Sequence, residues 1–219
     1  MLVRERMSSP VITIDGKTPV MEALDLMRHE NIRRTPVVDA QGKMVGIVSD
    51  KDLLNAGPSD ATTLSVWELN YLLTKVQVKE VMTKNVLTVT EDTPIEEAAY
   101  IMAENKIGGL PVMRRQELVG LITETDLFKI FLEMMGAREV GVRVTALVPE
   151  KPGELEALTH AIAKAGGSFI SFGQFSGRSE SDKLVTFKVS GMSETAVQDT
   201  ITPFIEQLID IRTCCTSDK

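Results

Sequence analysis

Gly46-Ile47-Val48-Ser49-Asp50-Lys51-Asp52-Leu53 returns later in the chain as Gly120-Leu121-Ile122-Thr123-Glu124-Thr125-Asp126-Leu127. Both stretches keep the order Gly-x-x-Ser/Thr-x-x-Asp. Working outward from them, a displacement of 75 positions lays Val3, Glu5 and Met7 on Val78, Glu80 and Met82, and Val11 and Thr13 on Val86 and Thr88. It also lays Thr18-Pro19 on Thr93-Pro94, Ala23 on Ala98, Met27 on Met102, Ile32 on Ile107 and Pro36-Val37 on Pro111-Val112. One residue is lost in the following turn, after which Gly46, Asp52 and Leu53 meet Gly120, Asp126 and Leu127. Register kept this far with a single gap marks an internal duplication.

Each copy reads as strand, helix, strand, strand, helix. Thr18 and Thr93 stand as N-caps before a proline at the first helical position, and Glu96 completes a capping box in the second copy. Val20, Ala23, Leu24 and Met27 share one helical stripe, as do Ile95, Ala98, Ala99 and Met102, and such stripes are core. Pro36-Val37-Val38 is extended, Ala40-Gln41-Gly42-Lys43 turns, and a second apolar strand over 44–48 feeds Ser49-Asp50-Lys51-Asp52 at the start of a helix. The second copy repeats this with a strand over 118–122 and Thr123-Glu124-Thr125-Asp126. One such unit buries too little surface to stand alone, so two are expected to pack face to face about a pseudo-twofold axis.

The duplicated element has two readings. A hydroxyl at the N-cap with an acid three residues on is a capping box, which satisfies orphan amides. A helix N-terminus also attracts phosphate, and an acid beside a phosphate suits a neutral diol such as a ribose. Gly46 and Gly120 would then let the backbone approach a ligand closely. The copies differ before the shared proline, with Ile32-Arg33-Arg34-Thr35 in one and Ile107-Gly108-Gly109-Leu110 in the other. Forked arginine donors suit a polyphosphate, although strand-edge arginines are also ordinary surface charges. The Gly108-Gly109 pair removes side chains and offers room for a base against the main chain.

Between the repeats, Ala56-Gly57-Pro58-Ser59-Asp60 reads as loop and Ser65-Val66-Trp67-Glu68 as a capping box. The helix that follows, 66–74, carries Trp67, Leu69, Tyr71, Leu72 and Leu73 as a core-packing or subunit-facing surface. After Gly136 the period changes to two, with Val142, Val144, Ala146 and Val148 on one face. Glu150-Lys151-Pro152-Gly153-Glu154-Leu155 turns into a helix with Leu155, Leu158 and Ile162 inward, ended by Gly166-Gly167. Strands over 169–175 and 183–189 flank a polar hairpin. A helix over 192–208, disturbed at Pro203, precedes a last strand over 209–213. The order βαββαβ is a ferredoxin-like layout.

Met7-Ser8-Ser9-Pro10, Thr35-Pro36-Val37-Val38-Asp39 and the Gly46 to Leu53 stretch resemble a CBS motif, as do Met82-Thr83, Leu110-Pro111-Val112 and the Gly120 to Leu127 stretch. Together they look like a CBS pair, or Bateman module. The resemblance implies that Asp52 and Asp126 grip ribose hydroxyls while Ser49 and Thr123 contact phosphate. It also implies base contacts from Thr13-Ile14 with Ile32 to Pro36, and from Thr88-Val89 with Ile107 to Pro111. Glu150 to Leu155 resembles the opening turn of an ACT domain, with Glu150 where the family has aspartate, and Gly166-Gly167-Ser168-Phe169-Ile170 matches that family's second region more loosely. An ACT domain would hold an amino acid or similar metabolite at the loop of Glu150, Pro152, Gly153 and Leu155, or would only dimerise. The full order resembles the acetoin-utilisation protein B-type family.

The expected architecture is therefore α+β: CBS motifs over 1–56 and 78–136, an insert over 57–77, and an ACT-type domain over 137–219. A net charge of −7 argues against nucleic acid as a partner. No apolar run nears the roughly 18 residues of a membrane helix, and the first residues lack the apolar core of a secretory leader. The adjacent Cys214 and Cys215 match no metal spacing and read as free thiols of a reducing cytoplasm. His29 and His160 sit on helix surfaces without a neighbouring nucleophile, and Glu104 and Glu154 lack an acid–base partner, so no catalytic centre is expected. The expected role is a cytoplasmic, homodimeric sensor with no catalytic cofactor or metal. Its regulatory ligand would be AMP, ADP, ATP or an S-adenosyl compound, linked to acetoin-type carbon metabolism and an unidentified target protein. A ligand-free dimerisation scaffold, or a regulatory subunit of a metabolic enzyme, is the alternative.

Overall fold

A computed structural model describes residues 1–56 and 75–214. The insert helix around Trp67 and the thiol of Cys215 lie outside the described residues. The chain divides into two compact units, Met1–Leu127 and Phe128–Lys219.

In the first unit the copies repeat one plan. The first comprises β1 (Ile14–Asp15), α1 (Val20–His29), β2 (Arg34–Val38), β3 (Met44–Ser49) and α2 (Asp50–Leu54). The second opens with α3 (Val78–Val81) and continues through β4 (Val89–Thr90), α4 (Ile95–Asn105), β5 (Gly109–Arg114) and β6 (Glu117–Thr123) to α5 (Glu124–Met134), whose residues past Leu127 fall in the second unit. Each copy makes a three-stranded sheet, β1-β2-β3 or β4-β5-β6, parallel in its first pairing and antiparallel in its second. Val20, Ala23, Leu24 and Met27 bury their stripe against Val37 and Val48. Their counterparts Ile95, Ala98 and Met102 are buried in turn.

Both main helices start one residue later than the sequence suggests. Pro19 and Pro94 occupy the N-caps with extended ψ values of 143° and 142°, and neither threonine caps a helix through its side chain. Thr93 instead accepts from the Thr90 amide at 3.1 Å, closing the preceding turn. The capping box expected at Glu96 is accordingly absent. A proline held extended leaves its predecessor in the loop, where a short polar side chain finds a turn amide first.

The pseudo-twofold axis is written in paired contacts. Leu2 bridges Pro94 while Gln77 bridges Pro19, and Ser8 bridges Leu121 while Thr83 bridges Ile47. Val3 donates to the Thr93 carbonyl at 2.9 Å and Val78 to the Thr18 carbonyl at 3.0 Å. Each contact is the repeat image of its mate, so the opening segment of either copy is built into the other. Val3 and Val78 are fully buried as a result. Gly46 and Gly120 belong to this exchange. A methyl on Gly46 would stand 2.6 Å from Met82 Sδ and 2.9 Å from the Thr83 carbonyl; one on Gly120 would overlap Met7 Sδ and stand 3.1 Å from the Ser8 carbonyl. The close approach these glycines permit is to the partner repeat, which corrects the reading that they open the backbone to a ligand.

The second unit contains β7 (Gly141–Pro149), α6 (Glu154–Lys164), β8 (Ser168–Ser176), β9 (Asp182–Ser190), α7 (Glu194–Ile201) and β10 (Gln207–Cys214). The sheet runs β10-β7-β9-β8 and is antiparallel throughout. Val144, Ala146, Val185, Phe187 and Val189 form its buried face with Leu158, Ile162, Val197 and Ile201 from the helices. Leu155, expected inward, is 38% exposed at the first turn of α6. The last helix ends at Ile201, earlier than its apolar pattern suggests. A 3₁₀ turn, Thr202–Phe204, takes over at Pro203, whose ring and missing amide cannot continue an α-helix. Lys188, buried on β9, donates to the Gly136 and Glu139 carbonyls at 2.8 and 2.9 Å, satisfying carbonyls just beyond α5.

Candidate functional site

The duplicated element forms the same hydrogen-bonded box twice. Asp52 Oδ2 accepts from the Ser49 amide at 2.9 Å and from Ser49 Oγ at 2.7 Å, while the Asp52 amide donates to Ser49 Oγ at 3.2 Å. In the second copy Asp126 Oδ2 accepts from the Thr123 amide at 3.0 Å and from Thr123 Oγ1 at 2.7 Å. The capping reading of the sequence is thus realised at Ser49, and one oxygen of each aspartate is committed to it. Ser49, Asp52, Thr123 and Asp126 all remain partly accessible.

Around the first box lies a cavity of about 660 Å³. One wall is Arg33, Arg34 and the run from Ile47 to Asp52; the other comes from the second repeat, as Thr83, Asn85, Val86 and Leu87 together with the run from Asn105 to Gly109. The mixture is chemically useful. Asp52 and the Ser49 hydroxyl are polar acceptors and donors, Val86, Leu87 and Ile107 are apolar, and Arg33, Arg34, Lys51 and Lys106 bring positive charge. The cavity joins Arg33, Arg34, Ser49 and Asp52 of the first copy to Ile107, Gly108 and Gly109, which the family resemblance groups with Thr88-Val89 and Pro111. Val86, Leu87, Asn105 and Lys106 also line it and are not among the expected site residues. The signal for them was the displacement itself, since segments exchanged across a pseudo-twofold axis line each other's clefts.

Thr13 and Thr88 stand apart from this cavity. Thr13 lines a cleft of about 390 Å³ with Val38 and Leu118, and Thr88 lines one of about 580 Å³ with Met113 and Met44. The side chains of Ile14 and Val89 are buried in the sheets, 6% and 5% exposed, and Pro36 and Pro111 are buried within β2 and β5. None of these four residues lines the cavity. Ile32 is half-buried just before β2, and Gly120 is enclosed as described.

Arg34 occupies the room that the glycine pair was expected to leave for a base. A methyl on Gly108 would overlap its guanidinium, and one on Gly109 would lie 2.8 Å from its Cδ. Burial pulls the Arg34 guanidinium below its ordinary range, against the opposing pull of the Glu124, Asp50 and Asp52 carboxylates. At the loop between β7 and α6, Gly153 takes φ of 86° at the helix N-cap, a conformation that favours glycine. There Glu150 pairs with Lys183 at 3.1 Å, and Pro152 is exposed. His29 and His160 are exposed on α1 and α6. Among the described residues no cluster of three or more metal-ligating side chains occurs, and no helix is long and apolar enough to cross a membrane.

The CBS domain family matches residues 3–59 and 78–133, one match for each repeat. A CBS domain-containing protein of Dictyostelium discoideum is 32% identical over 135 residues, covering 61% of this chain and 93% of its own. L-aspartate semialdehyde sulfurtransferase of Methanocaldococcus jannaschii is 32% identical over 131 residues, 59% of this chain, but the shared part spans only 23% of that enzyme. Among solved structures, a CBS domain pair in complex with 5′-methylthioadenosine and S-adenosyl-L-methionine superposes with a TM-score of 0.51 at 32% identity, over 60% of this chain and 95% of that one. A Vibrio cholerae protein named for acetoin utilization gives 0.52 at 32% identity, over 62% of this chain and 93% of its own.

Proposed function

Because the chain belongs to the CBS domain family, we propose that it is a non-catalytic regulatory protein whose CBS pair binds an adenine nucleoside or nucleotide. The observation that carries this is the cavity of about 660 Å³ in which the Ser49–Asp52 box of one repeat faces the apolar and glycine residues of the other. Asp52 is suited to ribose hydroxyls because a carboxylate accepts from both hydroxyls of a diol. Val86, Leu87 and Ile107 supply apolar surface for a base. The related CBS pair that holds two adenosine compounds supports the ligand class. AMP, ADP, ATP, 5′-methylthioadenosine and S-adenosylmethionine are the candidates. A ligand present at 100 times its dissociation constant is expected to stabilise the protein by about 2.7 kcal/mol. Thermal unfolding with each compound at millimolar level checks this, and no shift with any of them overturns the reading.

The second unit is read as an ACT domain. Its β7-α6-β8-β9-α7-β10 order and the Gly153 turn support this, with the loop of Glu150, Pro152, Gly153 and Leu155 as the place for an amino acid or similar metabolite. The likeness to the Vibrio cholerae protein is the ground for a link to acetoin-type carbon metabolism. The chain is further expected to pair with a second copy of itself. Phe128, Phe131 and Leu132 form an exposed apolar stripe on α5, 68%, 54% and 40% accessible. A twofold contact between identical stripes closes after two chains. Light scattering at micromolar concentration should give twice the mass of one 219-residue chain. A single-chain mass rules the dimer out.

A further inference from the structure

Arg34 lies on its own repeat image. The displacement that aligns the two copies lays Arg33 on Gly108 and Arg34 on Gly109. The Arg34 side chain runs across both of those glycines, so closely that a methyl on Gly109 would lie 2.8 Å from its Cδ. A side chain that touches its own image stands at the pseudo-twofold axis, and the axis has room for one. Two glycines in place of a second arginine pair are what provide that room. The acids that act on Arg34 accordingly come from both copies, Glu124 at the start of α5 and Asp50 and Asp52 at the start of α2.

The guanidinium is also unspent. It is half-buried, and with the described residues it makes neither a hydrogen bond nor an ion pair. Five forked donors lining the cavity, none of them held by a described residue, suit an anion with paired oxygens. A phosphate group has that geometry, whereas 5′-methylthioadenosine has no anionic group at all.

We propose that Arg34 is a single phosphate-recognising residue shared by the two repeats, so that the pair holds one phosphorylated adenine ligand tightly and a second only weakly. The inference rests on the adenine reading above. One guanidinium charge offsets one phosphate at most, and two phosphates drawn to it from opposite sides repel each other. A ligand that recruits it from either side leaves the opposite site without it, and that is a negative coupling between the sites. An unphosphorylated adenosine, which makes no demand on Arg34, escapes the coupling.

Calorimetric titration of the full chain with AMP and with adenosine tests this. Wild type is expected to bind the first AMP roughly tenfold or more tightly than the second, and than any adenosine. In Arg34→Gln the two AMP steps should converge on the adenosine level of the same variant, while an unchanged circular dichroism spectrum and ligand-free melting temperature report an intact fold. Gly108→Ala keeps the charge but displaces the guanidinium, and should weaken the first AMP step alone. Two equal AMP sites in wild type overturn the proposal, as does unchanged AMP binding in Arg34→Gln. In both cases the adenine reading survives, whereas a wild type that binds neither compound overturns both.

Discussion

Phe187→Ala is expected to destabilise the protein by about 3–5 kcal/mol, the usual cost of truncating a fully buried aromatic ring. Phe187 is 0% exposed at the centre of β9, between β7 and β8. It stacks on Phe172 with centroids 6.1 Å apart and planes 9° apart, and Phe169 leans on it at 5.6 Å. Loss of the ring forfeits apolar burial, leaves a cavity against Leu158 and Ile162, and removes two aromatic contacts, each contributing about 0.5–1.5 kcal/mol beyond its area. Strands on both sides hydrogen-bond to β9, so the sheet cannot collapse to fill the void. Denaturant unfolding followed by circular dichroism should show the midpoint fall at nearly constant slope. Phe187→Leu, which refills most of the volume, should recover more than half of the loss.

The periodicities that made this core readable did not make the site equally readable. Alternation over 142–148 and the stripe through Leu158 and Ile162 are local signals, and they name residues that are buried. The displacement of 75 positions likewise located both boxes, because a repeat needs no knowledge of three-dimensional arrangement. What it did not disclose is which segments each box faces. Ser49 and Asp52 look toward Val86, Leu87 and Ile107, residues far along the chain, since the opening segments are exchanged between repeats. Thr13, in the same repeat as Ser49 and Asp52, lies in a separate cleft. The glycines tell the same story. Gly46, Gly108 and Gly120 were legible as places where something comes close. That the visitors are Met82, Arg34 and Met7 depends on tertiary packing alone.

Asp52→Ala and Asp126→Ala should separate capping from ligand binding, and they should do so unequally. Each aspartate holds the backbone amide and the hydroxyl of its box partner, so its removal frees two donors at a helix start. That loss is expected to cost about 0.5–2 kcal/mol of stability without ligand, similar in the two variants because the boxes are alike. Ligand affinity should fall by a further amount of about 1–3 kcal/mol wherever the remaining carboxylate oxygen meets a ribose diol. The surroundings differ there. Asp52 shares its cavity with Arg33, Gly108 and Gly109, and in the sequence the run before the shared proline of the Asp126 copy carries glycines where that of the Asp52 copy carries arginines. Ser49→Ala provides the control, since it removes one member of the box and leaves the carboxylate in place. Calorimetry and thermal melts on the same three samples keep the two effects apart. Equal affinity losses in both aspartate variants would contradict the asymmetry. A lowered melting temperature with unchanged affinity in Asp52→Ala would reduce that aspartate to a helix cap, and the cavity beside it to an ordinary cleft between repeats.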